Sequence, residues 1–504
     1  MKNKSCEILI CSLLPLLVAG HVLARTPSPP AATKNTLVTS QYYARLIAGP
    51  VTDLARLNLF VSAMPKGGDL HHHYSGAIYA ETYLDWVGKR NFCIYRDNVP
   101  QLKAQKYHIE ARSDLPAAAK AVCASADEVR QDNGFYRELL QRWSDKDYDN
   151  HSHDQTPPDQ QFFDTFAYFG PISDEYFREG LQWLKDSAKA ENMQYLETML
   201  KSGPNVALAG MNADLDALTS ASSDEQVEQV LRAYYAALIA DTATATKIKE
   251  YADMVDEIAA GIDDADFTMR FQAFAVRGFA PSRVFASLYS SFAAAHMNKL
   301  IVGVNIVGPE NGIVAMRDYT LHMKMFRFLK QRFPDVKLAL HAGELTLSMV
   351  PPDGLQSHIA QAIQIAGANR IGHGIDITYE AHAYELMDSM KQLDIPVEVN
   401  LSSNAFILGV KNEAHPVTAY KAHGVPFVIS TDDAGVSRST MSNEYLLYAS
   451  RYKPSYAELK ATVYNSIRYS FLSDKEKQDQ LQQLNRRFSN FEEKIRKLAS
   501  PAKK

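Results

Sequence analysis

A (β/α)8 TIM barrel is the fold class that this sequence predicts, and three observations predict it. Eight short apolar or β-branched runs can be counted along the chain, each followed by a longer stretch of helical period. Runs such as residues 301–307, Ile-Val-Gly-Val-Asn-Ile-Val, are apolar on both faces, as a parallel sheet covered by helices requires. Eight β-then-α units in succession point to closure into a barrel. The competing arrangement is a doubly wound open sheet. It needs a glycine-rich phosphate loop after the first strand, and Gly67-Gly-Asp-Leu-His-His-His-Tyr-Ser-Gly76 lacks that form.

The composition agrees with one large globular unit. The chain has 504 residues, 46% hydrophobic and 22% charged, with a formal net charge of −5. These values exclude a disordered chain, a collagen-like fibre and a disulfide-dense mini-protein. No basic surplus exists for phosphate backbones, so nucleic acid is excluded as a bulk-charge partner. Length alone allows two or three domains, but a barrel with insertions takes up this much chain.

From the N-terminus, Lys2 and Lys4 form a short basic region, residues 8–19 an apolar run, and Val22-Leu23-Ala24 a small-residue cleavage site. This reads as an export signal over residues 1–24, leaving a protein without stable membrane insertion in the periplasm or outside the cell. A membrane anchor is the competing reading, but the run is short for a span of about 20 residues. Residues 25–47 read as a linker, its start rich in Thr, Pro, Ser and Ala. Of four cysteines, Cys6 and Cys11 would leave with the signal. In an oxidising compartment the remaining two, Cys93 and Cys123, are expected to pair. That disulfide would staple a polar stretch, 94–122, inside an insertion at about 90–150 after the first strand. Two buried free thiols are the alternative.

The expected strands are 68–73, 193–198, 268–275, 300–307, 337–341, 370–373, 396–401 and 426–431. Helices are expected at 174–191, 223–262, 282–298, 316–332, 355–367, 380–393 and 456–471. Residues 144–160 read as a polar loop. The last segment, from Ser473, has Leu481, Leu484, Phe488 and Phe491 at helical spacing, an extra terminal helix with one packed face. The barrel unit is thus expected over 48–490, with 491–504 as a C-terminal tail that frays from Pro501.

Chemistry gathers at the strand ends. Alternate strand residues share a face, so His71 and His73 point together and His72 points away as a packing residue. An H-x-H pair alone is a weak signal; His151 and His153 repeat it in the polar loop, where they read as solvated. The signal strengthens because His341 ends another strand with Glu344 three residues on, His373 ends the next, and Asp432-Asp433 end the eighth. Burying that many titratable groups on one rim costs several kcal/mol each unless a metal or paired charges compensate. Imidazoles with a carboxylate suit Zn²⁺, or another first-row divalent ion. Such an ion lowers the pKa of bound water to about 7. Glu344 is placed to transfer a proton, and His373 to hold or deprotonate the water. These residues describe a mononuclear metal hydrolase.

Met64-Pro-Lys-Gly-Gly-Asp-Leu-His-His-His-Tyr-Ser-Gly-Ala77, His341-Ala-Gly-Glu344, Ile371-Gly-His-Gly374 and Ser430-Thr-Asp-Asp433 resemble the adenosine deaminases of the metal-dependent amidohydrolase superfamily. Their order and spacing match over about residues 59–471. The export signal and the Met-Pro-Lys-Gly-Gly form are similar to the secreted branch, which includes the adenosine deaminase-related growth factors and bacterial periplasmic relatives. This family is distinct from the Cys-ligated zinc deaminases of nucleic acids.

The resemblance implies one Zn²⁺ per chain on His71, His73, His341 and Asp432. It implies a purine nucleoside substrate, adenosine or 2′-deoxyadenosine, hydrolysed to inosine-type product and ammonia. Glu344 would protonate purine N1, and His373 would orient and deprotonate the water, aided by Asp432. Asp433 would bond N7, the Gly308 backbone would meet N3, and His73 and Ser75 would also face the substrate. A glycine at 308 makes sense, because only the lack of Cβ lets a backbone N–H come so close. Phe162, Phe163 and Phe166 fall where the family lines its pocket, yet the same spacing suits a core helix. Glu310 is left between a site contact and a structural role.

Ser75 departs from the family, which often has a ribose-binding Asp there; serine offers hydrogen bonds but no charge. The insertion is a candidate for capping the pocket, for forming a homodimer or for binding a partner. Two alternatives stand beside the deaminase reading. One is a related amidohydrolase acting on another aminopurine or modified nucleoside. The other is a non-catalytic binding or signalling protein on the same scaffold, which the complete set of catalytic positions argues against.

Overall fold

The computed structural model describes residues 33–99, 104–146, 148 and 156–499. The expected signal segment, residues 1–24, lies outside the described residues, as do His151 and His153. Among the described residues ten strands form: β1 (Gly67–His73), β2 (Phe92–Val99), β3 (Ala104–Ala111), β4 (Met193–Ser202), β5 (Thr268–Val276), β6 (Ile301–Val307), β7 (Lys337–Ala342), β8 (Arg370–His373), β9 (Val397–Val399) and β10 (Phe427–Ile429).

Eight of them make one sheet in the order β1-β4-β5-β6-β7-β8-β9-β10, every pair parallel. The seam between β1 and the chain following β10 is drawn together at His72 and Asp432. There the Asp432 amide donates to the His71 carbonyl (2.9 Å) and the His73 amide to the Asp432 carbonyl (3.2 Å). The result is a (β/α)8 barrel, with helices such as Pro281–Met297, Ile313–Lys330 and Tyr456–Arg468 covering its outer face. Strand residues Leu338, Leu340, Ile371, Val397, Val399, Val428 and Ile429 are fully buried, as strands covered on both faces must be.

Several expected boundaries shift, each for a local reason. The helix expected at 223–262 is two helices, Asp224–Ala240 and Thr242–Ile258. Asp241 leaves helical geometry between them, and its carboxylate caps the second by accepting from the amides of Ala243 and Thr244. The strand expected at 396–401 stops at Val399, because Leu401–Ile407 is a helix. The helix expected at 355–367 is short, His358–Gln361, and runs into a π-turn over Ala362–Ala366.

The expected linker holds a helix, Lys34–Ile47, capped by Thr33. The expected tail from residue 491 continues a long helix, Asp474–Ala499. These two ends pack together: Phe60 of the next helix, Leu54–Ala63, meets Phe491 edge-on at 5.1 Å and Tyr43 at 5.3 Å. Glu492, buried there, accepts from Thr36, Tyr456 and Lys460. Phe491 and Ile495 are core residues, which is why the helix does not fray at 491.

The described part of the insertion after β1 is folded. β2 and β3 form an antiparallel hairpin, and Cys93 and Cys123 are joined by a disulfide with a Cα separation of 5.5 Å. Ile94 and Ala124 exchange backbone hydrogen bonds at 2.8 Å, so the staple continues into the sheet. Among the described residues, no helix is long and apolar enough to cross a membrane.

Candidate active site

The site sits at the C-terminal ends of the barrel strands, where catalytic groups of this architecture collect. β1 delivers His71 and His73, β7 delivers His341 and, one turn on, Glu344, and β8 ends on His373. Asp432 and Asp433 follow β10. His373 (φ 67°) and Asp432 (φ 58°) both adopt left-handed backbone, a conformation costing about 1–3 kcal/mol for such residues and concentrated at functional sites.

The side chains converge tightly. Asp432 Oδ1 lies 3.3 Å from His71 Nε2 and 3.2 Å from His73 Nε2. His73 Nε2 and His341 Nε2 face each other at 3.3 Å. His373 Nε2 is 3.6 Å from Glu344 and 3.8 Å from Asp432 Oδ2. Ligand atoms of His71, His341, His373 and Asp432 all fall within 4.8 Å of one another, as do those of His73, Asp432 and Asp433.

The surroundings decide which ring nitrogens are free. His71 Nδ1 meets Glu398 Oε2 at 2.7 Å, and the other oxygen of Glu398 accepts from Arg370 Nε at 2.5 Å. A carboxylate only accepts, so Nδ1 of His71 carries a proton and Nε2 turns its lone pair to the centre. For His341, Asn305 Oδ1 accepts from the amides of Ile306 (2.8 Å) and His341 (3.2 Å), which fixes the amide orientation. His341 Nδ1, 2.9 Å from that oxygen, is therefore a donor, and its Nε2 is also a lone pair. His71 Nε2 is fully buried with no hydrogen-bond partner. An orphaned imidazole lone pair beside a second one and a buried carboxylate is a donor set that fits a divalent cation.

The electrostatics make the same demand. Burial works against charge on His71, but the carboxylates of Asp432 and Glu398 override it and push the ring up to about 10. A positive charge, proton or cation, is what that spot favours. Burial lowers His73, His341 and His373, the last to about 3. Burial, then repulsion from Asp432 and Glu310, holds Glu344 well above the usual carboxylate range. Burial and the neighbouring Asp432 do the same to Asp433. Asp432 goes the other way: burial opposes its charge, and the imidazoles of His71 and His73 beside it win.

His73, His341, Glu344, His373, Asp432 and Asp433 open onto one cavity of about 290 Å³, lined also by Ser75, Gly308, Phe162, Phe163, Phe166, Phe274, Val276, Val307 and Pro309. The three phenylalanines of the helix Pro158–Ser173 serve both readings at once, since Phe162 is a core residue and all three line the cavity. Asp159 of that helix accepts from Asn311, tying it to the loop after β6. Gly308 has φ 99°, a conformation suited to glycine. Asp433 Oδ1 is a buried oxygen without a hydrogen-bond partner, and a Cβ on Gly76 would sit 1.6 Å from it.

Glu310 does not line the cavity. It accepts from the amides of Gly343 (3.1 Å) and Glu344 (2.9 Å) and from His358 Nδ1 (2.6 Å), with Arg277 at 3.6 Å. Burial opposes its charge, but Arg277 and His358 bring it down to about 2. His72 points the other way, toward Thr198 Oγ1 (2.9 Å). The sequence reading missed Asn305, Glu398, Ser403 and Asn404; Ser403 donates to Asp432 Oδ2 at 2.6 Å. Glu398 and Asn305 had a signal, a polar residue inside an otherwise apolar buried strand.

A family profile described as adenosine deaminase matches residues 182–487, from the helix before β4 through the terminal helix. Adenosine deaminases of Yersinia pseudotuberculosis serotype IB (strain PB1/+) and Serratia proteamaculans (strain 568) are each 29% identical, over 228 and 226 residues. Each alignment covers 45% of this chain and 62% of the relative, so the chain matches less than two thirds of those relatives' length. Among solved structures, the N6-methyl-AMP deaminase of Arabidopsis thaliana superposes with a TM-score of 0.52 at 17% identity, over 85% of this chain and 98% of that one. An amidohydrolase from Burkhoderia ambifaria, solved with bound Zn, gives 0.51 at 16% identity, over 90% and 98%. At such identities the likeness is one of fold. The profile runs over β4 to β10, the strands that bring Glu344, His373 and Asp432 to the barrel mouth, and on more than half of its length this chain belongs to the adenosine deaminase family.

Proposed function

We propose that the protein is a zinc-dependent hydrolase that converts adenosine and 2′-deoxyadenosine to the corresponding inosine and ammonia. The observation that carries this reading is that Glu344, His373, Asp432 and Asp433 line one cavity together with Phe162, Phe163, Phe166 and Phe274. A flat aromatic ring fits between apolar walls, and its polar edge meets the four groups. Arabidopsis ADAL, a structural neighbour, has been solved with IMP and with GMP, so the fold accommodates purines.

Glu344, whose carboxyl burial pushes toward the acid form, donates its proton to purine N1 and makes C6 electrophilic. Asp433, pushed the same way by burial and by Asp432, donates to N7. Ring N3 meets the Gly308 backbone, and Ser75 and His73 lie toward the sugar. Zn²⁺, held by His71, His73, His341 and Asp432, would supply Lewis-acid activation of water. His373 and Asp432 bracket the space for that water beside C6. The leaving amine departs as ammonia after taking a proton.

The disulfide suits an oxidising compartment. With the apolar N-terminal run, it supports placing the protein in the exported branch of the family, with residues 48–490 as the catalytic unit. The insertion is then a candidate dimer surface.

A second reading keeps the chemistry and changes the substrate. Ser75 brings a hydroxyl to the cavity without charge, and its carbonyl is occupied by Tyr83 at 2.7 Å. A purine with a modified or absent sugar would tolerate that better than a ribose that needs a carboxylate. The test is the mature protein with adenosine, 2′-deoxyadenosine and free aminopurines, following ultraviolet absorbance and ammonia before and after chelation. Chelator-sensitive inosine and ammonia support the first reading. A metal-loaded protein that turns over only another aminopurine supports the second, and one that turns over nothing overturns both.

A further inference from the structure

His373 differs from the other site histidines in how its outer nitrogen is held, and the difference can be traced to a backbone amide. The Val417 N–H lies 3.1 Å from His415 Nδ1. An amide N–H only donates, so His415 Nδ1 accepts and the ring's proton is on Nε2. That Nε2–H faces Asn404 Oδ1 at 3.1 Å. A donor there fixes the side-chain amide, which must turn its NH2 to the opposite side. The group on that side is His373 Nδ1, at 2.9 Å. An NH2 only donates as well, so His373 Nδ1 accepts, and the ring's proton is on Nε2. Asn400 Nδ2 approaches the same nitrogen at 3.4 Å and can only reinforce that polarity in the orientation shown. All the members, Asn400, Asn404, His373 and His415, are buried, so no solvent competes for these bonds.

For His71 and His341 the second partners are acceptors, Glu398 and the Asn305 carbonyl, and the lone pair faces inward. For His373 the partner is a donor, and the N–H faces inward, toward Glu344 (3.6 Å) and Asp432 (3.8 Å). Two imidazoles are thus set as ligands and one as a hydrogen-bond donor, by nothing more than the polarity of what lies behind them.

We propose that Asn404 and His415 are positioning residues that hold His373 as an Nε2–H donor, so that His373 gives a hydrogen bond to the attacking water and does not take its proton. This rests on the deaminase reading above for the identity of the water, but the tautomer stands on the hydrogen bonds alone. The water's proton then has the Asp432 carboxylate, on the same side of the ring, as its acceptor. His373 also stays outside the ligand set, although its Nε2 lies within ligand distance of that cluster.

The test is nitrogen NMR of the full chain labelled with ¹⁵N-histidine, His373 being assigned from the signals lost in His373→Gln. Long-range proton–nitrogen correlations separate the two tautomers. The expected result is a protonated Nε2 and a bare Nδ1 at His373. A proton on Nδ1 overturns the proposal, whether or not the protein deaminates adenosine. His415→Leu, which removes the donor, is expected to mix the tautomers and lower kcat about tenfold with KM held. His415→Gln, which can return an N–H to Asn404, is expected to restore both. A folded His415→Leu with an unchanged His373 tautomer and kcat also overturns it. Asn404→Asp reverses the polarity with almost no change of shape. It is expected to move the proton to Nδ1, and failure to do so counts against the relay.

Discussion

Burial pushes the carboxyls of Glu344 and Asp433 toward the acid form, while the imidazoles beside Asp432 pull it toward the ionised form. Three carboxyls lining one cavity are thus driven in two directions by their surroundings. Glu344→Gln keeps the shape and removes the transferable proton. It is expected to lower kcat by about 10²–10⁴-fold with metal content unchanged, checked by steady-state rates beside elemental analysis. A near-normal rate would remove Glu344 from the acid role. Glu310, below it, titrates in the opposite direction. Its folded value, about 2, lies below the ordinary 4.5, so its contribution is complete above pH 4.5 and is lost as the pH falls toward 2. The shift corresponds to about 3 kcal/mol. In urea unfolding, the gap between the wild type and Glu310→Gln is expected to narrow between pH 6 and pH 3. A gap that stays constant would show that the carboxylate charge contributes nothing.

At the scale of elements, the turn Tyr74–Ala77 after β1 is drawn hard against the loop that follows β10. Gly76 lies so close to Asp433 that any side chain there displaces the carboxyl. Gly76→Ala is expected to raise KM about 5- to 150-fold while the metal stays bound, since a lost hydrogen bond from a buried group costs about 1–3 kcal/mol. An unchanged KM would take Asp433 out of substrate contact. The barrel strands and the site residues were legible because both follow a simple pattern: β-branched runs, then a histidine or a carboxylate at or just past the ends of β1, β7, β8 and β10. The second layer was less legible. Ser403 and Asn404 sit one turn into a helix that begins immediately after β9, and periodicity read through the short strand into that helix. The break at Asp241 escaped for a related reason, because a single capping residue leaves the apolar period of both helices intact. The helix in the expected linker was hidden because its apolar face exists to meet the chain's other end, which a local window does not contain.

At the scale of the molecule, one buried cation knits the barrel interior. Arg370 binds Glu197 of β4 and Glu398 of β9, and donates to the carbonyls of Leu70 in β1 and Tyr469. Arg370→Met would leave two buried carboxylates without a partner. It is expected to cost about 3–5 kcal/mol in denaturant unfolding and to loosen His71 through Glu398. A cost below about 1 kcal/mol would show that water or rearrangement replaces the guanidinium. The barrel is closed where the candidate site gathers. The hydrogen bonds at His71 to His73 and at Asp432, like that from Thr431 to Asp69 across 362 residues, join the first barrel strand to the segment that follows the last. A ribosome must therefore release nearly the whole chain before this candidate site can be completed by Asp432. Newly made or C-terminally shortened chains would be inert, and a cation seated across the seam would act as a clasp on the finished barrel.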